Sequence, residues 1–162
     1  MLIDDPKQIT IEQAEEQVDD LGSGMLTHVF SFCDATLAKS TIAYDLAISW
    51  QHSDSIPRKK SAYGLLYELS KNKRDKRLSN DFFMDTISQI NQTIDNEIKS
   101  VKLSMGTALM GIGKRNLKLN KAAIDVATRI GAIDFNEGDS KCEPFDILKH
   151  LTSDYLKEKL NC

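Results

Sequence analysis

The side chains of this chain that could bind a metal or act as nucleophile, acid or base are three His, three Cys and 24 Asp and Glu. A di-metal helical bundle needs Glu and Glu-x-x-His on facing helices, because hard cations are held in a cage of carboxylates. The residues three positions before His28, His52 and His150 are Met25, Ser49 and Ile147, so those spacings assemble no cage. Asp134, Asn136 and Gly138 begin like a calcium loop, but its sixth position, which demands glycine, is Asp139. Cys33, Cys142 and Cys162 are odd in number and contain no Cys-x-x-Cys pair. They write neither a disulfide framework nor a zinc ribbon, and read as reduced thiols of a cytoplasmic protein, with Cys162 the most exposed. There is no Gly-x-Ser-x-Gly elbow, and Cys33 lies five positions from His28 in an apolar stretch, where it reads as a buried helical cysteine. No Arg stands four to six residues before a His, the spacing used by all-helical toxin ribonucleases. The expectation is a protein with no catalytic residue, no cofactor and no metal, hence not an enzyme.

The segment Gly111-Ile112-Gly113-Lys114-Arg115 could handle phosphate. It fails as a P-loop, since the first glycine would fall on Ala108 and Lys114 is followed by Arg115 instead of Ser or Thr. Met110 to Leu117 resembles the hairpin of the helix-hairpin-helix family. That resemblance implies that Gly111 and Gly113 are turn glycines whose backbone N–H groups approach a DNA phosphate without reading sequence, with Lys114 and Arg115 adding charge. Leu117 stands where that family carries a small Ala. The competing reading is a glycine helix stop followed by exposed cations.

Charge is laid out in blocks that the overall net charge of −3 conceals. Residues 1–45 carry nine acidic and two basic side chains, 58–77 carry eight basic and two acidic, and 102–129 carry six basic and one acidic. Glu12, Glu15, Glu16, Asp19 and Asp20 form a negative ridge on one short helix, able to steer a basic partner by long-range attraction. Lys71 to Arg77 places five cations in seven residues, including Lys73, Arg74, Lys76 and Arg77.

Helices must position these groups. Eight Gly and three Pro are few turn-formers for 162 residues, and four Val are few strand-formers. Thr10 followed by Gln13 is a capping-box spacing, after which Ile11, Ala14, Val18 and Leu21 make one apolar stripe, ended at Gly22-Ser23-Gly24. The dense apolar run from Met25 to Gln51 predicts a buried helix with a break near Lys39-Ser40, where Ser40 offers a cap. A loop from Gln51 to Pro57 precedes a helix from about Arg58 to Lys71. Phe83, Ile87, Ile90, Ile94, Ile98, Val101, Met105, Ala108 and Ile112 keep steps of three and four. Unbroken, that stripe is one rod of about 45 Å at 1.5 Å per residue, with Gly106 its weak point. Asn120 is placed to cap a helix ending before Gly131, and Pro144 to start a last helix whose inner face includes Phe145, Leu148, Leu151, Tyr155 and Leu156. The expected fold is all-α: a single domain over residues 1–162, a bundle of six or seven helices with one long central helix.

The start Met1-Leu2-Ile3-Asp4-Asp5 is acidic where an export signal is basic, and Leu21 to Cys33, the longest uncharged stretch, is too short and polar to span a bilayer. In general character, a small acidic helical chain without catalytic signatures resembles bacterial immunity proteins, including those of contact-dependent inhibition systems. The resemblance implies a toxin inhibitor that binds a basic protein, a toxin domain such as a nuclease, through Glu12, Glu15, Glu16, Asp19 and Asp20. The alternative is a nucleic-acid-associated helical protein using Lys73, Arg74, Lys76, Arg77, Gly111, Gly113, Lys114 and Arg115.

Overall fold

The computed structural model describes residues 5–20, 34–136 and 142–161, which fold as helices joined by turns. The expected glycine stop at 22–24, the apolar stretch 25–33 with His28 and Cys33, the calcium-like Gly138 and Asp139, and Cys162 lie outside the described residues. The chain divides into two compact units, Met1–Leu69 and Ser70–Cys162.

In the first unit, α1 (Ile11–Asp19) begins with the expected capping box. Thr10 Oγ1 accepts from Gln13 N at 3.2 Å, and Gln13 Oε1 accepts from Thr10 N at 3.0 Å. Ala14 and Val18 are buried as the stripe requires, whereas Ile11 is exposed. After a helical turn at 34–37 the chain breaks where expected, but Ser40 caps nothing. The cap position of α2 (Ala43–Trp50) is Ile42, which makes no side-chain capping bond. The helix α3 (Ile56–Leu69) starts before Pro57, which sits in the first turn where its missing N–H costs no intrahelical bond. Both α1 and α2 pack on α3, burying Val18, Leu46, Ala47, Trp50, Ala62, Leu65 and Leu66. Full burial of a side chain such as Leu65 contributes about 1.5–3 kcal/mol.

Asp34 is buried in this unit, its carboxyl so close to Gly64 that a Cβ there would overlap it. Its Oδ1 has no hydrogen-bond partner among the described residues, and the Ser61 hydroxyl lies beside the carboxyl. Burial, with the charge of Glu68 adding to it, pushes the Asp34 carboxyl well above the usual carboxylate range; the Ser61 hydroxyl and Lys60 oppose the shift.

In the second unit, Ser79 caps α4 (Asn80–Thr93), its hydroxyl accepting from Phe82 N at 3.1 Å. The expected long rod is two helices. A 3-10 turn at Ile94–Asn96 leads to Glu97 and Ile98, both extended at ψ 157° and 158°, and α5 (Lys99–Gly113) starts afresh. Ile90, Ile94, Val101 and Met105 keep the stripe buried while Ile98 swings out to 49% exposure. The carbonyls orphaned by the break have partners. Arg129 donates to Asn91 O at 2.7 Å and to the Asp95 carboxylate at 2.6 Å, and Lys102 donates to Asp95 O at 3.1 Å. Gly106 does not weaken α5; a Cβ there would stand 2.6 Å from Ile133 Cδ1, so it admits neighbouring side chains instead.

Asn116, not Asn120, caps α6 (Leu117–Ile130), its Oδ1 accepting from Leu119 N at 3.0 Å. Asn120 is buried inside the first turn, where its Nδ2 donates to Gly113 O at 3.1 Å and Leu151 O at 3.2 Å. Gly131 closes the helix with φ +69°, the expected use of a glycine there. Ile133 and Phe145 then exchange backbone hydrogen bonds of 2.9 and 2.8 Å, the β-bridge of the described residues. Pro144 starts no helix. Asp146 caps α7 (Ile147–Leu151), which packs on α5 and α6, and α8 (Asp154–Asn161) follows after Thr152-Ser153. The all-α expectation holds, and no helix among the described residues is long and apolar enough to cross a membrane.

Candidate nucleic-acid interface

The cation-rich turn from Lys71 to Arg77 is shaped by its own polar side chains. Asn72 Oδ1 accepts from the backbone N of Arg74 at 2.9 Å and of Asp75 at 3.4 Å, an Asx turn that folds the loop back. Asp75 accepts from Arg77 through its backbone N at 2.9 Å and its Nη2 at 2.8 Å. That guanidinium holds the Asp75 carboxyl below its ordinary range. Leu78, fully buried, anchors the loop at its end.

Arg115 fastens this loop from the connection between α5 and α6. Its Nη1 donates to Ser70 O and Asn72 O, both at 2.7 Å, its Nη2 donates to Leu78 O at 2.9 Å, and the guanidinium lies 4.9 Å from the centroid of the Phe83 ring. The planar fork carries its donors on separate nitrogens and so spans carbonyls that an ammonium would have to serve from one atom. The side chain is therefore engaged in structure and is not a free phosphate ligand. Arg77 is likewise paired, with Asp75 at 2.8 Å.

What the clasp presents is Lys73, Arg74 and Lys76, all exposed and in no ion pair with a described residue. Next to Arg115, the half-buried Lys114 faces a second group of cations. Desolvation pushes the Lys114 ammonium below its ordinary range, and the charges of Lys159 and Lys71 push it the same way. Lys71 on the loop and Lys159 on α8 are thus both close enough to Lys114 for their charges to bear on it. Lys71 belongs to the basic run singled out on sequence, whereas Lys159 does not. Lys159 stands 45 positions from Lys114, and nothing local to either announces the meeting.

Gly111 and Gly113 do not form an exposed hairpin. Both lie inside α5 and are buried, so their N–H groups are not presented to a phosphate. A Cβ on Gly113 would stand 2.7 Å from Leu151 Cδ2 and 2.9 Å from Ala123 Cβ, so this glycine lets α6 and α7 approach α5. The acidic ridge is also altered. Arg58 donates to Asp19 at 2.8 and 2.6 Å and pairs with Glu15 at 3.3 Å, leaving Glu12, Glu16 and Asp20 as exposed members with no ion pair among the described residues. The calcium-like turn is occupied internally, Asp134 accepting from Asn136 N at 3.0 Å and pairing with Lys99 at 3.3 Å.

No family model matches this chain, and no curated protein matches it. Among solved structures, it superposes with a TM-score of 0.80 and 20% identity on one described as "A new family of proteins related to the HEAT-like repeat DNA glycosylases with affinity for branched DNA structures". The match covers 96% of this chain and 66% of that one. This likeness overturns the reading of the chain as an immunity protein that holds a basic toxin through an acidic ridge. This chain shares the helical fold of that structure.

Proposed function

We propose that this chain is a non-enzymatic, cytoplasmic DNA-binding protein that holds branched DNA by its phosphates. The observation that carries the reading is the cationic surface built around Lys114. Lys71 and Lys159 crowd it, and the Lys73, Arg74 and Lys76 side chains stand on the adjoining loop that Arg115 ties down. Phosphate contacts need charge at fixed spacing and no base-reading groups, and a rigid cation-bearing loop supplies that. The fold shared with a protein of stated affinity for branched DNA supports the choice of ligand. An overall pI of about 5.6 does not oppose it, because local surfaces and not totals meet the backbone.

The test is a fluorescence-anisotropy titration of a labelled four-way junction. Each neutralised phosphate contributes about −0.9 to the slope of log affinity against log salt, so six cations give roughly −5 and an affinity loss of about a thousandfold between 50 and 200 mM salt. Replacing Lys73, Arg74 and Lys76 together by Gln flattens that slope by about 3. No binding at low salt, or an unchanged slope in the triple variant, overturns the reading.

A further inference from the structure

Tyr155 is 73% exposed, although its spacing in the sequence assigns it to the buried face of the last helix. The neighbouring Leu156 takes the buried place instead, at 3% exposure. The phenol makes no hydrogen bond or ring contact with a described residue. A single exposed tyrosine is ordinary on a surface, and what singles this one out is its surroundings. Lys159 follows Tyr155 by four positions on α8, so the two side chains lie one turn apart on the same face, about 6 Å along the axis. Lys159 is one of the two cations that crowd Lys114. An exposed aromatic ring one turn from a converging group of ammonium charges is the combination that binds unpaired nucleotides, the cations taking phosphate and the ring taking a base face.

We propose that Tyr155 is a stacking platform for an unpaired base, with Lys159 and Lys114 holding the phosphate beside it. This rests on the DNA-binding reading above and narrows it: the preferred ligand is DNA with bases free of pairing at a branch, gap or tail, over fully paired duplex. Charge also sets the direction of the bound strand. Glu158 lies at i+3 from Tyr155 and Lys159 at i+4, and Lys157 is taken up by Asp154 at 3.1 Å. The phosphates of a nucleotide stacked on the ring are drawn to the Lys159 side and away from Glu158.

The experiment compares the full chain with Tyr155→Ala and Tyr155→Phe on two ligands, a blunt duplex and the same duplex carrying a short unpaired tail with 2-aminopurine as its first unpaired base. The side chain is 73% exposed, and thermal melting verifies that both variants fold as the parent does. The parent binds the tailed DNA more tightly and quenches the 2-aminopurine. Tyr155→Ala loses about tenfold on the tailed DNA and the quenching with it, while its affinity for blunt duplex stays within about twofold, and Tyr155→Phe restores both. Equal loss on the two ligands, or loss on neither, overturns the stacking proposal while leaving DNA binding standing. A parent chain that binds neither ligand at low salt removes the DNA-binding reading and this proposal together.

Discussion

Arg115 Nη1 donates a 2.7 Å hydrogen bond to the carbonyl oxygen of Ser70, joining positions 45 residues apart. Together with the bonds to Asn72 O and Leu78 O, it makes one guanidinium the fastening of the loop that bears Lys73, Arg74 and Lys76. Arg115→Ala leaves three carbonyls without their donor, and charge-assisted bonds of this kind are worth about 1.5–3 kcal/mol each without being additive. The expected loss, read by urea unfolding, is about 2–3 kcal/mol. Arg115→Lys keeps the charge and recovers less than half of it. Amide hydrogen exchange across 72–78 accelerates in both variants; unchanged protection would show that the loop is held by other means.

Gly113→Ala separates a packing glycine from a phosphate-binding one. The new Cβ meets Ala123 Cβ at 2.9 Å, a contact relieved only by moving backbone. Overpacking of this kind costs about 1–3 kcal/mol, seen as a lower unfolding midpoint. Below the melting temperature the variant binds the four-way junction as the parent does. A loss of affinity with undiminished stability would return the glycine to the interface.

Asp34→Asn tests the buried carboxyl of the first unit. The folded-state pKa lies above the unfolded 3.8, so below that pH both states are protonated and the group contributes no pH dependence. As the pH rises past 3.8 the unfolded chain releases its proton and the folded one retains it, which favours unfolding until the folded pKa is passed. The variant and the parent therefore melt alike near pH 4, and the variant becomes progressively more stable than the parent toward neutrality. Parallel melting curves over roughly pH 4–8 would show that Asp34 ionises freely in the fold.

Local features were legible in the sequence. The Thr10–Gln13 box and the buried faces around Phe83, Ile87 and Met105 follow from residues within a turn or two of one another. Features decided by distant partners were not. Ile98 keeps the helical spacing although the chain is extended there, because the break is stabilised by Arg129, 31 positions later. Asn120 has the side chain of a cap, but it lies inside the helix with Leu151 O taking its amide, and Asn116 is the cap. The basic run and Lys114 were visible as candidate phosphate ligands, whereas the diversion of Arg115 into structure, the arrival of Lys159 and the exposure of Tyr155 depend on the folded second unit.

The joint at Glu97 and Ile98 also bears on how such a chain can change in length. One residue inserted into a continuous helix turns everything after it by about 100° and takes the whole buried face out of register. At an extended pair, with Asn91 and Asp95 pinned on one side and Lys102 on the other, an extra residue need only loop outward, as Ile98 already does. Breaking the rod there confines the effect of an insertion to the joint and leaves the packing of α4 and α5 intact.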